Sequence, residues 1–419
     1  MLAFTGGNAS LLELSLQNLQ ITDLETINLS TLRNLGTLSI PHNQISTIPT
    51  GYFSNMSRLR ALYLNNNQLK SLPGGILSGH NFYALDLSNN QLSGGLSSTT
   101  FVGVSIDGEG GFLDLSANGL SSLPAGLFGA WYYWTLKLND NYLSGGGGLR
   151  DALNNSALSE GVYLDGLFLD NNQLTTIPED VQNIQQIGTL SLNNNHISNL
   201  ANLPSNLSSL YLNNNQLTSI PTDISKVPYL YGLYLDDNQI TDLSNLPSYL
   251  SVLSLNNNQL TSIPAGINSA INLYYLFLDG NQIADRSGAP LSGNKNLYYL
   301  SMQNNQLTQV PLDIRSGATN LHYLYLQNNF IAELPEGVFS GNMGAISYIY
   351  LQNNALHDLP SDISTYPSNL VNVGYNCMST RDSSSGTVGF MTSKYGSSWE
   401  TQQYLCLKEI SYDPPQPLT

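Results

Sequence analysis

A short pattern recurs along this chain and constrains its fold more than any other feature. Residues 62–73 read LYLNNNQLKSLP, residues 210–221 read LYLNNNQLTSIP, and residues 253–264 read LSLNNNQLTSIP. Its asparagine returns fourteen times, mostly every 23 or 24 residues, from Asn43 to Asn354. Self-similarity at a period of about 20–50 residues is typical of a solenoid, in which each unit packs on its neighbours. The repeat therefore predicts one elongated domain rather than two globular ones.

Each position of the pattern has a physical reason. Leu233 lies between Gly232 and Tyr234, so a short strand would turn the leucine inward and both neighbours outward. The asparagine marks the point where the chain leaves the strand, and a buried amide there would bond backbone groups of its own and the neighbouring turn. The proline that often ends the pattern favours a return that is not a strand, because it has no N–H to donate.

This pattern resembles the leucine-rich repeat family over nearly the whole chain. The resemblance implies an α/β solenoid, a curved array with a parallel β-sheet on its concave face and short helical or irregular returns on its convex face. We expect an N-terminal edge segment over 1–18, about 14–15 repeats over 19–365, and a C-terminal cap with a Pro-rich tail over 366–419. Two asparagine gaps shrink to 20 residues, which predicts tight returns at 202–210 and 245–253.

Two Gly-rich insertions lengthen the repeat, at 93–111 and 144–161. Insertions in a repeat array usually map to one edge, where loops often bind ligands. Tolerated surface loops are the alternative interpretation, and the sequence leaves both open.

The amino-acid composition limits which classes of partner this chain can bind. Charged residues make up 10% of the chain, and 13 basic against 29 acidic residues give a net charge of −16. Such a chain should repel nucleic acid and anionic membranes. The sequence has no apolar run long enough for a transmembrane segment, and its first residues lack the basic start of a signal peptide.

The C-terminal region predicts an extracellular protein. Its two cysteines, Cys377 and Cys406, are interpreted either as a disulfide that closes a cap or as two buried thiols; the disulfide would imply an oxidising compartment. The segment FMTSKYGSSWETQQ resembles the cap of secreted bacterial leucine-rich repeat proteins through Lys394, Trp399, Thr401 and Gln402. A eukaryotic source would make glycosylation possible at the sequons Asn8, Asn28, Asn55, Asn154 and Asn206.

The positions beside the inward leucine vary and carry the functional prediction. Early in the chain they include Tyr63, Asp86, Asp114 and Lys137, and later they become aromatic. The predicted binding residues on the concave face are Tyr211, Tyr234, Tyr275, Phe277, Tyr299, Tyr323, Tyr325, Tyr348 and Tyr350. A recognition surface is one reading, because tyrosine combines contact area with a hydroxyl. Strand propensity and cross-strand stacking are the other.

The sequence gives little support for a catalytic site or a metal site. The acidic residues near the asparagine column are interpreted as solvated turn carboxylates in preference to Ca²⁺ ligands; they are Asp140, Asp170, Asp236, Asp237 and Asp279. The histidines share no metal-ligand spacing; they are His42, His80, His196, His322 and His357. The sequence contains no nucleophile elbow, phosphate loop or zinc-protease motif. We therefore predict no enzyme, no cofactor and no metal.

Three hypotheses follow. The first is an extracellular recognition or adhesion protein that binds a protein, a glycan or other copies of itself through the Tyr-rich concave face. The second is a structural subunit of an extracellular filament or surface layer assembled head to tail. The third is an enzyme whose site is assembled across several repeats.

Overall fold

The computed structural model describes residues 2–3, 11–106, 108, 110–124, 127, 132–144, 163–184, 186–220, 222–244, 246–284, 291–311, 314, 317–334, 336–337, 346–365, 371–379, 383–397 and 403. The chain divides into two compact units, Met1–Leu250 and Ser251–Thr419. We call them unit 1 and unit 2.

Unit 1 is built from short parallel strands that follow one another in chain order. Its strands are β1 (Leu2–Ala3), β2 (Glu13–Ser15), β3 (Ile27–Asn28), β4 (Thr37–Ser39), β5 (Ala61–Tyr63), β6 (Asn81–Phe82), β7 (Ala84–Asp86), β8 (Ser105–Ile106), β9 (Gly111–Asp114), β10 (Tyr132–Lys137), β11 (Tyr163–Phe168), β12 (Gln186–Ser191), β13 (Ser209–Tyr211), β14 (Ser219–Ile220), β15 (Gly232–Tyr234) and β16 (Asp242–Leu243). The main sheet has the order β2-β4-β5-β7-β9-β10-β11-β12-β13-β15, and β1–β3, β6–β8 and β14–β16 form separate parallel pairs.

Unit 2 repeats the plan and ends in a helix. Its strands are β17 (Val252–Ser254), β18 (Tyr275–Phe277), β19 (Tyr299–Ser301), β20 (Tyr323–Tyr325), β21 (Tyr348–Tyr350) and β22 (Val371–Asn372), followed by the α-helix α1 (Ser385–Tyr395). The returns between strands contain 3-10 helices at Leu24–Thr26, Glu179–Asn183, Thr222–Lys226, Ala265–Ser269 and Ser361–Thr365. The predicted solenoid with a parallel sheet and short helical returns is confirmed.

The central residue of each strand forms the core. Leu38, Leu62 and Leu85 are aligned in register on adjacent strands and are fully buried. The same holds in unit 2 for Leu276 and Leu300. Each such leucine buries against its counterparts above and below, which is worth roughly 1.5–3 kcal/mol per side chain. The inward leucine column therefore holds each stack together.

The buried asparagines tie successive turns through their amides. Asn305 Nδ2 donates to the carbonyls of Leu278 (2.9 Å) and Met302 (3.1 Å), and its Oδ1 accepts from the Ile283 N–H (3.1 Å). This is the predicted role of the column. The structure adds one member that the sequence interpretation missed, because Asn376 donates to Leu351, Val373 and Gly374 in the same way.

The residue before each buried asparagine has a left-handed backbone. Its φ is 57° at Asn66, 54° at Asn89 and 55° at Asn304. Asparagine, aspartate and glycine tolerate this conformation best, which explains why Asp140, Asp237 and Gly280 alternate with asparagine there. The run of adjacent asparagines in the repeat is therefore partly a backbone requirement.

The two unusual spacings have different structural outcomes. The tight return predicted at 202–210 is present, since it has bends in place of the 3-10 helix of neighbouring repeats. In the insertion at 93–111, Ser105–Ile106 pair in parallel with Asn81–Phe82, and Phe101, Val104 and Ile106 are buried. Residues 100–106 are thus part of a packed return, not a surface loop. Most of the insertion at 144–161 lies outside the described residues.

Candidate functional site

The outward positions of β18–β21 form two parallel columns on one side of unit 2. The first column is Tyr275, Tyr299, Tyr323 and Tyr348, and the second is Phe277, Ser301, Tyr325 and Tyr350. The residues between the columns point into the core, so the alternation of the strand turns these side chains to the outer side. The structure thus gathers seven of the predicted binding residues on one surface.

Between β20 and β21, the rings of both columns stack face to face. The ring centroids of Tyr323 and Tyr348 are 5.1 Å apart with an interplanar angle of 9°. Those of Tyr325 and Tyr350 are 4.6 Å apart at 5°. Parallel strands lie about 4.8 Å apart, so the same residue type on successive strands falls at stacking distance.

Tyr299 joins the two columns. Its ring is closer to Phe277 (5.1 Å) and Tyr325 (5.0 Å) in the second column than to Tyr275 and Tyr323 (both 6.1 Å) in its own. The residue that separates Phe277 from Tyr325 is Ser301, which is small and buried. The aromatic surface is therefore continuous across the position where the second column lacks a ring.

A third row of rings lies at the start of the strands. Tyr274 stacks on Tyr298 at 4.7 Å and 10°, and Tyr298 stacks on His322 at 4.5 Å and 27°. Tyr298 also meets Tyr323 of the first column at 5.5 Å. We define the tyrosine face as these three rows, namely Tyr274, Tyr275, Phe277, Tyr298, Tyr299, His322, Tyr323, Tyr325, Tyr348 and Tyr350.

Most side chains of the tyrosine face are half-buried, and stacking covers flat sides of the rings in the pairs Tyr323–Tyr348 and Tyr325–Tyr350. Tyr348 is 36% exposed. Burial, followed by the neighbouring Tyr325, raises the pKa of Tyr299. Burial, followed by Tyr350, likewise raises the pKa of Tyr325. These hydroxyls are therefore protonated at neutral pH and can donate hydrogen bonds.

A polar row borders the face where the strands end. Asp279 accepts hydrogen bonds from the Ser301 hydroxyl (2.6 Å) and from the backbone N–H and side chain of Gln303 (3.0 and 2.8 Å). Gln327 then donates to Gln303 Oε1 at 2.6 Å. Sequence reasoning missed this row, although its residues recur two places before the buried asparagine. The row fixes the strand ends beside the aromatic columns.

Tyr211 and Tyr234, also predicted to bind, lie in unit 1. They are register partners on β13 and β15, and their rings stack at 4.4 Å and 2°. Gly232 leaves room for this pair, because a Cβ there would come within 3.0 Å of the Tyr234 ring. They form a second stack, on the outer side of unit 1.

Other outward residues of unit 1 combine charged side chains with the aromatic Tyr63, Phe112 and Phe168. Asp86 and Asp114 are register partners on β7 and β9, and Lys137 Nζ lies 3.5 Å from Asp114 Oδ2. The same ammonium sits 4.9 Å from the centre of the Phe112 ring. Burial, opposed by the hydrogen bonds from Ser88, raises the pKa of Asp86. Asp86, Asp114 and Lys137 thus separate Tyr63 from Phe168 along this column of unit 1.

The acidic residues beside the asparagine column are not all solvated. Asp170 accepts from the Ser191 hydroxyl (2.6 Å) and the Asn193 N–H (2.7 Å), as Asp279 does in unit 2. The interpretation as solvated turn carboxylates is therefore wrong for Asp170 and Asp279, which accept bonds from the next repeat. Within the described ranges, no group of three or more His, Cys, Asp or Glu side chains is placed to hold a metal ion.

The cap residues and sequons are only partly described. Helix α1 contains Lys394 and buries Phe390 and Met391, whereas Trp399, Thr401, Gln402 and Cys406 lie outside the described residues. The pairing of Cys377 with Cys406 thus stays a prediction. Asn28, Asn55 and Asn206 are exposed, while Asn8 and Asn154 lie outside the described residues. None of the helices that the structure describes is long and apolar enough to span a bilayer.

A strand, a buried asparagine and a return in every repeat define a solenoid of the leucine-rich repeat class. Family models described as leucine rich repeats match residues 9–69, 33–92 and 205–248. A search of curated protein sequences found no match to this chain. The family matches and the fold together support a leucine-rich repeat protein.

Solved structures share this fold at low sequence identity. An LRR protein of Leptospira interrogans is 24% identical, with 90% of this chain and 93% of that chain covered and a TM-score of 0.61. InlJ from Listeria monocytogenes is 21% identical, with 88% and 73% covered and a TM-score of 0.63. A chain of the Drosophila Toll–Spatzle complex is 24% identical, with 84% and 51% covered and a TM-score of 0.60. These similarities concern the fold alone.

Proposed function

We propose that this protein is a non-enzymatic recognition module that binds a protein partner through the tyrosine face. The observation that carries the proposal is the continuous surface of ten aromatic rings on unit 2. Leucine-rich repeat proteins are typically binding proteins rather than enzymes, and one similar structure is a complex, that of Toll with Spatzle.

The composition of the face supports a protein partner. Interface centres are enriched in tyrosine and depleted of charge, and the tyrosine face has eight tyrosines and one phenylalanine among its ten rings, with the carboxylate of Asp279 in the bordering polar row. Extended aromatic patches on monomers usually mark interaction sites. Since stacking already orders the tyrosine rings, binding would cost little side-chain entropy.

The stacking geometry favours a protein over a glycan. A sugar ring packs its polarised C–H groups against the electron-rich flat side of an aromatic ring. In the columns those sides are covered by neighbouring tyrosines, as in the pairs Tyr323–Tyr348 and Tyr325–Tyr350. The accessible edges and hydroxyls suit the carbonyls and apolar side chains of a polypeptide.

We further propose an extracellular location. It is supported by the expected Cys377–Cys406 disulfide, because disulfides persist in oxidising compartments. The exposure of Asn28, Asn55 and Asn206 would allow glycans in a eukaryotic secretory pathway.

The proposed function is tested with Tyr325→Ser combined with Tyr350→Ser. A partner is first captured by photocrosslinking from the surface of Tyr348, and its affinity for the full chain is then measured by calorimetry. We expect at least a tenfold loss, because central tyrosines are frequent hot spots worth about 2 kcal/mol or more. The matched control is Tyr83→Ser with Tyr142→Ser, since both tyrosines are exposed in unit 1. An unchanged affinity of the Tyr325/Tyr350 variant would refute the proposal.

A further inference from the structure

The chain contains a proline-rich segment that the repeat does not explain. Residues 413–417 read DPPQP and lie outside the described residues. Such a sequence favours the polyproline II conformation, which forms no internal hydrogen bonds and leaves its carbonyls free to accept. Proline-rich segments are recognised by aromatic-lined surfaces because they lose little entropy on binding.

The tyrosine face has the chemistry for such a segment. It offers protonated hydroxyls as donors and ring edges as apolar contacts, without a lysine or arginine in its three rows. Its spacing also matches. A polyproline II helix repeats every three residues, or about 9.3 Å, and two strand spacings are about 9.6 Å. Every third residue of the segment would therefore meet every second strand.

The segment can reach the face. Gln403 is fixed on unit 2, since its Oε1 accepts from the Asn376 N–H at 2.7 Å. Asn376 follows closely on Asn372 of β22, which is the register partner of Tyr350 on β21. Asp413 lies ten positions after Gln403, and ten extended residues can span roughly 33 Å. The columns from β21 to β18 extend over three strand spacings, only about 14 Å.

We propose that the tyrosine face receives the proline-rich segment 413–417 of its own chain. This inference rests on the proposed function and deepens it, because the face then selects proline-rich polypeptide, and a protein partner has to displace the segment. The Tyr325 and Tyr350 hydroxyls donate to its carbonyls, and its proline rings pack against the ring edges of the columns.

The test uses the full chain and a fluorescent synthetic peptide of residues 411–419, SYDPPQPLT. Binding is followed by fluorescence anisotropy to the wild type and to the triple variant Pro414→Ala, Pro415→Ala, Pro417→Ala. A tethered segment competes at an effective concentration in the millimolar range. We therefore expect the peptide to bind the triple variant at least tenfold more tightly than the wild type.

Two controls separate recognition from general adhesion. Adding Tyr325→Phe and Tyr350→Phe to the triple variant keeps the ring stack but removes two donors, and should weaken the peptide at least tenfold. A peptide with the three prolines replaced by alanine should bind at least tenfold more weakly than SYDPPQPLT. Light scattering of the wild type should show a monomer, because the segment binds the face of its own chain.

Several results would overturn the inference. The first is that the peptide does not bind the triple variant, and the second is that the alanine peptide binds as tightly as SYDPPQPLT. The third is that the peptide binds the wild type and the triple variant with equal affinity. The fourth is a wild-type dimer that the proline substitutions dissociate, because a second copy would then be the occupant. The proposed function is judged separately. If the Tyr325/Tyr350 serine variant loses its captured partner while SYDPPQPLT never binds, only this inference fails.

Discussion

The outer sides of the strands differ between unit 1 and unit 2, although the inner sides are alike. On β7 the outward residues are Ala84 and Asp86 around the buried Leu85, whereas on β20 they are Tyr323 and Tyr325 around the buried Leu324. Both strands pair in register with their neighbours. The scaffold therefore accepts small, charged or aromatic outward residues, and the aromatic columns of unit 2 are not a requirement of the fold.

The largest expected effect concerns what the two units share. Asn305→Ala in unit 2 removes the amide that serves Leu278, Met302 and Ile283. Leaving buried backbone groups unpaired costs about 1–3 kcal/mol each, so the free energy of unfolding should fall by about 3 kcal/mol or more. Asn90→Ala, which has the same bonds in unit 1, should lose a similar amount in urea titrations.

The adjacent Asn304 provides the control for that pair. It is exposed and has a left-handed backbone with φ 55°, a conformation that glycine also adopts without strain. Asn304→Gly should change the free energy of unfolding by less than about 1 kcal/mol. A loss as large as that of Asn305→Ala would contradict the role given to the buried column.

An intermediate effect distinguishes the two outer surfaces. Tyr299→Ser in unit 2 breaks ring contacts with Phe277 and Tyr325 and should lower the free energy of unfolding by about 1–2 kcal/mol. Thr37→Ser, at the equivalent outward position of β4 in unit 1, should cost less than about 0.5 kcal/mol. Tyr299→Phe should keep most of the stability. Equal losses in urea titrations of Tyr299→Ser and Thr37→Ser would mean that stacking adds nothing.

The smallest effect compares one carboxylate from each unit. In unit 2, burial acts to raise the pKa of Asp358, but hydrogen bonds from Thr387, Ser384 and Leu359 outweigh it and hold the pKa below its usual value. These bonds tie the repeat to the start of helix α1, whose N-cap is Ser384. In unit 1, burial raises the pKa of Asp170 despite its hydrogen bonds. The two groups thus have opposite effects on stability as pH changes.

The opposite pKa shifts of Asp358 and Asp170 can be tested by measuring stability at two pH values. Stabilisation by Asp358 is complete above its unfolded pKa of about 3.9 and is lost as pH falls through its lower folded value. Asp358→Asn should cost about 1 kcal/mol at pH 7 and progressively less at pH 3. Ionised Asp170 opposes folding above the same unfolded value, so Asp170→Asn should leave stability at pH 7 unchanged or higher. The free energy of unfolding of both variants is measured at pH 7 and at pH 3. Equal losses for Asp358→Asn and Asp170→Asn at both pH values would refute these assignments.

Much of the fold could be predicted because the repeat is written in the sequence. The alternation around Leu233 and the shared phase of the aromatic positions placed Tyr299, Tyr323 and Tyr348 on one surface. Three features could not be predicted in this way. They are the left-handed backbone before each buried asparagine, the acceptor role of Asp279 toward Gln303, and the packed return at residues 100–106. Each depends on contacts between neighbouring repeats, which local sequence patterns do not predict.

The sequence by itself determined that this protein is a leucine-rich repeat solenoid and which residues point outward. One repeat cannot bury its leucine-lined face alone, whereas stacked repeats share a continuous core. Tertiary structure alone decided what the outward tyrosines present. Their ring planes are set by strand spacing and by side chains more than 20 residues apart in the chain, as for Tyr325 and Tyr350. Stacking therefore sets which sides of the Tyr325 and Tyr350 rings are covered.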